Sequence, residues 1–245
     1  MAPLDKPKVA ATDAAPTAPT ALARYQAFFI GDTGLGRLLR YELVMMTVSG
    51  LKGALGYALR KKLYPGLFGK AGRGMNFGRN LSLRCPMFMT LGDRVMIDDN
   101  CSLDAHGTGV FEIGGDTLIA RDCILVVKQG YLKIGRNCSI GSQTTLSAVS
   151  GIEIGDHAII AGQCYFGDGR YKPVPGARPT VEQGLETKGP VVLGNDVWVG
   201  AGVRVLDGVR VGDGAILGAG AVVTSDIPEN AIAVGCPARV IATRS

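Results

Sequence analysis

From residue 77 onward an aliphatic side chain returns at every sixth position, usually followed by Gly and with a small or β-branched residue in the fifth place. The clearest run starts at Leu193 and reads LGNDVW, VGAGVR, VLDGVR, VGDGAI, LGAGAV, VTSDIP. Earlier hexads open at 91, 97, 113, 119, 134, 140, 154 and 160 and obey the same rule. A period of six is too short for a helical solenoid and too regular for alternating strands. It fits a short strand plus a turn, with the first residue pointing inward and Gly relieving the bend. Three such sides make one triangular coil of eighteen residues, and stacked coils share a continuous aliphatic core. The pattern predicts an all-β solenoid.

The coil openings fall at Leu91, Ile113, Ile134, Ile154, Leu193 and Val211, with spacings of 22, 21, 20, 39 and 18. Against a coil of eighteen, the excess is 4, 3, 2, 21 and 0 residues, and each insertion follows the second hexad of its coil. All extra chain therefore leaves the prism along one edge. The longest excess lies within 168–190, and a loop of that length in a minimal scaffold is usually functional.

Residues 24–70 have a different rhythm. Leu38, Leu39, Leu43 and Met46, then Leu51, Leu55, Ala58, Leu59 and Leu63, recur at helical spacing. Gly50 and Gly53 divide the run into two helices, and Pro65 with Gly66 ends the second. That helix closes on Arg60, Lys61 and Lys62, which suits the negative end of its dipole. Two readings are open: a helix resting on anionic lipid as a peripheral membrane contact, or one packed on the rest of the chain. Residues 1–23, rich in Ala, Pro and Thr, are read as a disordered tail. The domains are thus the tail, the helical segment 24–70, and a repeat domain over 71–245.

Charge changes this picture only locally. The net charge is +5, yet residues 24–70 hold eight Lys/Arg against Asp32 and Glu42, a local +6. The remainder has no basic stripe, so no nucleic-acid partner is expected. No apolar run reaches the roughly 18 residues of a spanning helix. The N-terminus lacks the basic start and apolar stretch of a secretory signal, so the expectation is a cytoplasmic chain, with the inner membrane face open through 24–70. Six cysteines form no CxxC pair and no cluster with His, so no metal site is expected. Cys101, Cys123, Cys138 and Cys164 all take the fifth slot of a hexad and read as reduced core thiols rather than nucleophiles.

The hexads resemble those of the left-handed β-helix acyltransferases, and the stretch NDVWVGAGVRVLDGVRVGDGAILGAGAVVTSDIPENAIAVGCPARVI is similar to the C-terminal signature of their sugar and antibiotic O-acetyltransferases. The resemblance implies a left-handed parallel β-helix with an N-terminal helical extension, assembled as a homotrimer with the donor between subunits. It implies acetyl-CoA, or another acyl-CoA, as co-substrate, with no permanently bound cofactor. Carried over residue by residue, it places Trp198 and Ala201 along the pantetheine arm, the Ala219 amide against that arm, and Thr224 and Arg239 toward the nucleotide end. Ser225 departs from the family, which often has Lys there, and so removes a cation near the nucleotide. The implied reaction is acylation of a sugar or glycan hydroxyl, as in exopolysaccharide or lipid-linked glycan assembly.

The family's general base is a His in the long loop, and Tyr171 stands at that place here. No His lies in 158–245. Asp168 is a candidate base if burial raises its pKa, and Arg170 or Tyr171 could orient the acceptor. His157 occupies a turn slot, and His106 lies on the insertion edge, about 14 Å (three coils) from the root of the loop. A non-catalytic trimeric scaffold that binds coenzyme A or glycan is the alternative to an enzyme. Two His are too few for the three-His zinc site of carbonic anhydrases that share this fold.

Overall fold

The computed structural model describes residues 20–106, 109–172, 174–176 and 178–244. Three parallel sheets form the faces of a prism of about seven turns, a left-handed β-helix. The first face runs from Lys70–Ala71 to Arg210–Val211, the second from Asn76–Phe77 to Ala231–Val234, and the third from Ser82–Arg84 to Val222–Val223. The predicted coil openings stack in register: Leu91 pairs with Ile113, then Ile134, Ile154, Leu193 and Val211. All six are buried, so the solenoid core is a set of aliphatic columns. Lys70–Ala71 completes the first coil, pairing with Thr90–Leu91 six residues before the repeat becomes legible at Phe77.

Two slots of the hexad have clear physical causes. The fourth residue turns the corner with positive φ, as at Asn100, Asp116, Asn137, His157 and Asp196, and as Gly at 202, 208, 214 and 220. Asn, Asp and Gly tolerate that region best. Where the fifth residue is Cys or Thr, its side chain donates upward to a carbonyl of the next coil. Cys101, Cys123, Cys138 and Cys164 reach the carbonyls of Ala120, Gly141, Gly155 and Gly200 at 3.1–3.3 Å. Thr117 makes the same bond to Gly135 with its hydroxyl, at 2.9 Å. Burial pushes the Cys138 and Cys164 thiols up from their ordinary range, which removes them as nucleophiles.

Three helices cap the N-terminal end: α1 (Ala21–Phe29), α2 (Leu35–Val48) and α3 (Gly53–Leu63). α1 is additional to the two helices that the spacing predicted. Thr20, within the segment read as tail, caps it by accepting from the Ala23 N–H at 3.1 Å. The rest of that tail, 1–19, lies outside the described residues. Tyr41, Val44 and Val48 bury one face of α2, and the Tyr41 hydroxyl donates to the Leu83 carbonyl at 2.6 Å. Arg60 does not serve as a solvated tip. It is buried and donates to the carbonyls of Phe77, Val48 and Leu51, joining both helices to the first coil. Among the described residues no helix is long and apolar enough to cross a membrane.

Candidate functional site

The insertions all leave at the corner between the third and first faces, as the spacing required. They follow Ser102–Ala105, Ile124–Val127, Thr145–Ala148 and Tyr165–Gly167. The longest begins at Asp168, which is 0% exposed. Its carboxylate accepts from the N–H groups of Val149, Ser150 and Gly151, and from the Ser150 hydroxyl at 2.7 Å. Four donors fill the group and leave no surface for a substrate hydroxyl, a geometry that departs from the expected general base. Beyond it, Arg170–Tyr171 pairs antiparallel with Leu185–Glu186, giving the loop a hairpin stem. The Arg170 guanidinium is held by Glu186 at 2.9 Å, and the Tyr171 ring is exposed.

Further down the same corner, the structure brings together His106 and an acid that the sequence reading did not single out. Asp104 is the penultimate residue of its third-face strand, paired with Arg84 below and Val126 above. His106 Nε2 lies 3.3 Å from Asp104 Oδ1, and Arg84 Nη1 lies 3.5 Å from Oδ2. Burial raises the Asp104 carboxyl above its usual range, against the opposing pull of His106 and Arg84. α1 closes one side: the Phe28 ring is 5.0 Å from the His106 ring, and the Arg84 guanidinium sits 4.8 Å over Phe28. The signal was available as D-x-H at a strand end, because residues two apart project to the same side. His157 is a turn residue whose Nδ1 meets the Asn137 amide at 2.9 Å.

The residues assigned to the donor lie at another corner, between the second and third faces, and at the last coils. Ala201 and Ala219 stack in adjacent turns, with the Gly220 N–H donating to the Ala201 carbonyl at 2.8 Å. Gly200 is required between them, since a Cβ there would come within 2.6 Å of the Ala219 nitrogen. The Ala219 N–H donates to no group among the described residues. Trp198, the sole Trp, stands 54% exposed on the second face two positions before that turn. Thr224 and Arg239 are exposed at the C-terminal end, where the Ala238 N–H donates to the Val222 carbonyl at 2.8 Å. Arg239 has no carboxylate partner among the described residues. The residues assigned to the donor and the groups on the insertion edge therefore lie on different edges of one chain.

Sequence comparison bears on what these edges belong to. The family model for the bacterial transferase hexapeptide (six repeats) matches residues 190–225, and that for the hexapeptide repeat of succinyl-transferase matches 131–165. A Staphylococcus haemolyticus protein that carries an acetyltransferase name is 37% identical, over 49% of this chain and 71% of its own length. This chain belongs to the hexapeptide-repeat acyltransferase family. Within the family, a Mycobacterium tuberculosis protein named as a probable acetyltransferase is 36% identical over 54% of this chain, but the match spans only 44% of that relative. The chain thus spans less than half of the first curated relative that it matches. Among solved structures, a variant of AntD, an N-acyltransferase from Bacillus cereus in complex with dTDP and coenzyme A, superposes with a TM-score of 0.55 at 28% identity. That match covers 63% of this chain and 83% of AntD.

Proposed function

We propose that this protein transfers a short acyl group, acetyl in the first instance, from acyl-CoA to a hydroxyl of a sugar or glycan. The carrying observation is that Trp198, Ala201, Ala219, Thr224 and Arg239 are all exposed on the last coils. Pantetheine is a chain of amides that needs backbone partners, which the unengaged Ala219 N–H supplies. Phosphate suits a guanidinium, and that of Arg239, held by the Ala238 carbonyl at 2.9 Å, has no carboxylate partner among the described residues. The coenzyme bound to AntD supports the same donor class.

Of the groups on the insertion edge, we assign the base to His106 and its positioning to Asp104. The imidazole takes the proton of the acceptor hydroxyl as that oxygen forms its bond to the thioester carbon. The C–S bond then breaks, and the same proton returns to the departing thiolate. Asp104 Oδ1, buried and without a hydrogen-bond partner among the described residues, lies at ion-pair distance from the ring and holds it in place once the imidazole has taken the proton. Asp168 holds the frame of the long loop, and Tyr171, about 14 Å along the same edge from His106, contacts a more distant sugar of the acceptor. Because the two half-sites occupy different edges, the reading includes a homotrimer in which one subunit's insertion edge meets its neighbour's donor edge. Sedimentation of the full chain should give about three times 25.5 kDa, and a stable monomer would sink the shared site.

The direct test is release of free thiol from acetyl-CoA in the presence of candidate glycans. No turnover on any acceptor, with coenzyme binding retained, would establish a non-catalytic scaffold instead. Arg239→Ala should raise the donor Michaelis constant about tenfold or more, the loss of one charge-assisted contact. An unchanged constant would remove Arg239 from the donor site.

A further inference from the structure

The helical cap has a second apolar face that the fold does not use. On α2, Tyr41, Val44 and Val48 are buried against the first coil, while Leu35, Leu39, Leu43 and Met46 project from the opposite side. These four are 63%, 68%, 64% and 81% exposed. At 100° per residue they fall within an arc of about 80°, a continuous stripe rather than scattered surface leucines. Leu51 and Leu55, in the following turn and on α3, are exposed as well. A helix packed on one side only has no reason within its own fold to carry leucine on both.

Charge identifies what would cover it. Excluding buried Arg60, the segment 24–70 exposes seven basic side chains against two acids, and both acids are engaged. Asp32 holds Arg37 at 2.5 Å, and Glu42 accepts from the Tyr25 hydroxyl. Arg40 flanks the leucine stripe, has no carboxylate partner among the described residues, and lines a cavity of about 560 Å³ with Arg37, Tyr41, Gly66 and Pro86. A Cβ at Gly66 would overlap its guanidinium, so Gly66 makes room for Arg40 at this position. On α3, Lys62 shares a face with Leu55, seven residues apart. Aliphatic side chains flanked by unpaired cations fit a bilayer of anionic lipid, with leucines in the acyl boundary and Arg40 at a headgroup phosphate.

We infer that the exposed face of α2, with Arg40 at its flank and Leu55 beside it, docks the protein on an anionic membrane surface. The inference stands independently of the acyl-transfer reading. If both hold, docking delivers the enzyme to acceptors carried on lipid. The test is cosedimentation of the full chain with vesicles of phosphatidylcholine plus phosphatidylglycerol, against phosphatidylcholine alone. Wild type should partition to the anionic vesicles at least about tenfold better. The double variant Leu39→Ser/Leu43→Ser should lose about tenfold for each leucine removed, and Arg40→Gln about fivefold. The three side chains are exposed, so thermal melting should be unchanged in all variants. Equal sedimentation of wild type and the double variant would overturn the inference. So would a fall of the double variant to a smaller assembly in sedimentation velocity, which would assign the stripe to a second copy of the chain.

Discussion

His106→Ala should lower turnover at least about 100-fold while moving the donor Michaelis constant by less than about twofold. A general base acts on the acceptor proton in the transition state and has no part in holding the coenzyme, so its loss separates the two constants. Asp104→Asn should follow with a smaller loss, because the amide keeps the shape but not the charge that orients the ring. Stability should move the other way. The folded-state carboxyl of Asp104 is raised, so its stabilising contribution is full below the unfolded value near about 3.9 and is lost as pH rises through the folded value. At neutral pH, Asp104→Asn should therefore melt at or above the wild-type temperature while turning over more slowly. A stability gain paired with an activity loss is the signature of a group kept for chemistry. If His106→Ala retains full turnover, the base lies elsewhere and the pair is structural.

Asp168→Ala should destabilise the fold by about 3–5 kcal/mol, on the scale of removing one partner from a buried charged network. Three backbone N–H groups and the Ser150 hydroxyl would lose their common acceptor at the root of the loop. Denaturant unfolding measures this directly. Asp168→Asn discriminates the roles: its amide nitrogen faces donors, so stability should fall, yet turnover measured well below the melting temperature should stay within about tenfold. A 100-fold loss in a fully folded Asp168→Asn protein would return the base to the loop. Tyr171→Phe should raise the acceptor constant more than it lowers turnover, the outcome expected if its exposed side chain binds the acceptor.

The contrast between Asp168 and Asp104 shows where local sequence stops being informative. Both are acids at the insertion edge, and the hexad count locates both there. Whether a carboxylate faces substrate or a ring of N–H groups depends on the coil below. For Asp168 that coil supplies Val149, Ser150 and Gly151, eighteen or so residues away in sequence. The same holds for α2, whose periodicity announces a helix but not that a second apolar stripe remains uncovered.

What the sequence by itself determined is the solenoid: its coil openings, its insertion edge, its corner residues and its core cysteines. A six-residue repeat is local: hexad after hexad shows the same inward aliphatic and the same positive-φ corner, with an upward bond to the next coil where the fifth residue is Cys or Thr. Only the tertiary structure decided that Asp168 is a buried clamp and that α1 closes over the Asp104–His106 pair. Those outcomes depend on contacts between coils and between cap and coil. Such contacts follow from three-dimensional stacking, and no spacing along the chain encodes them.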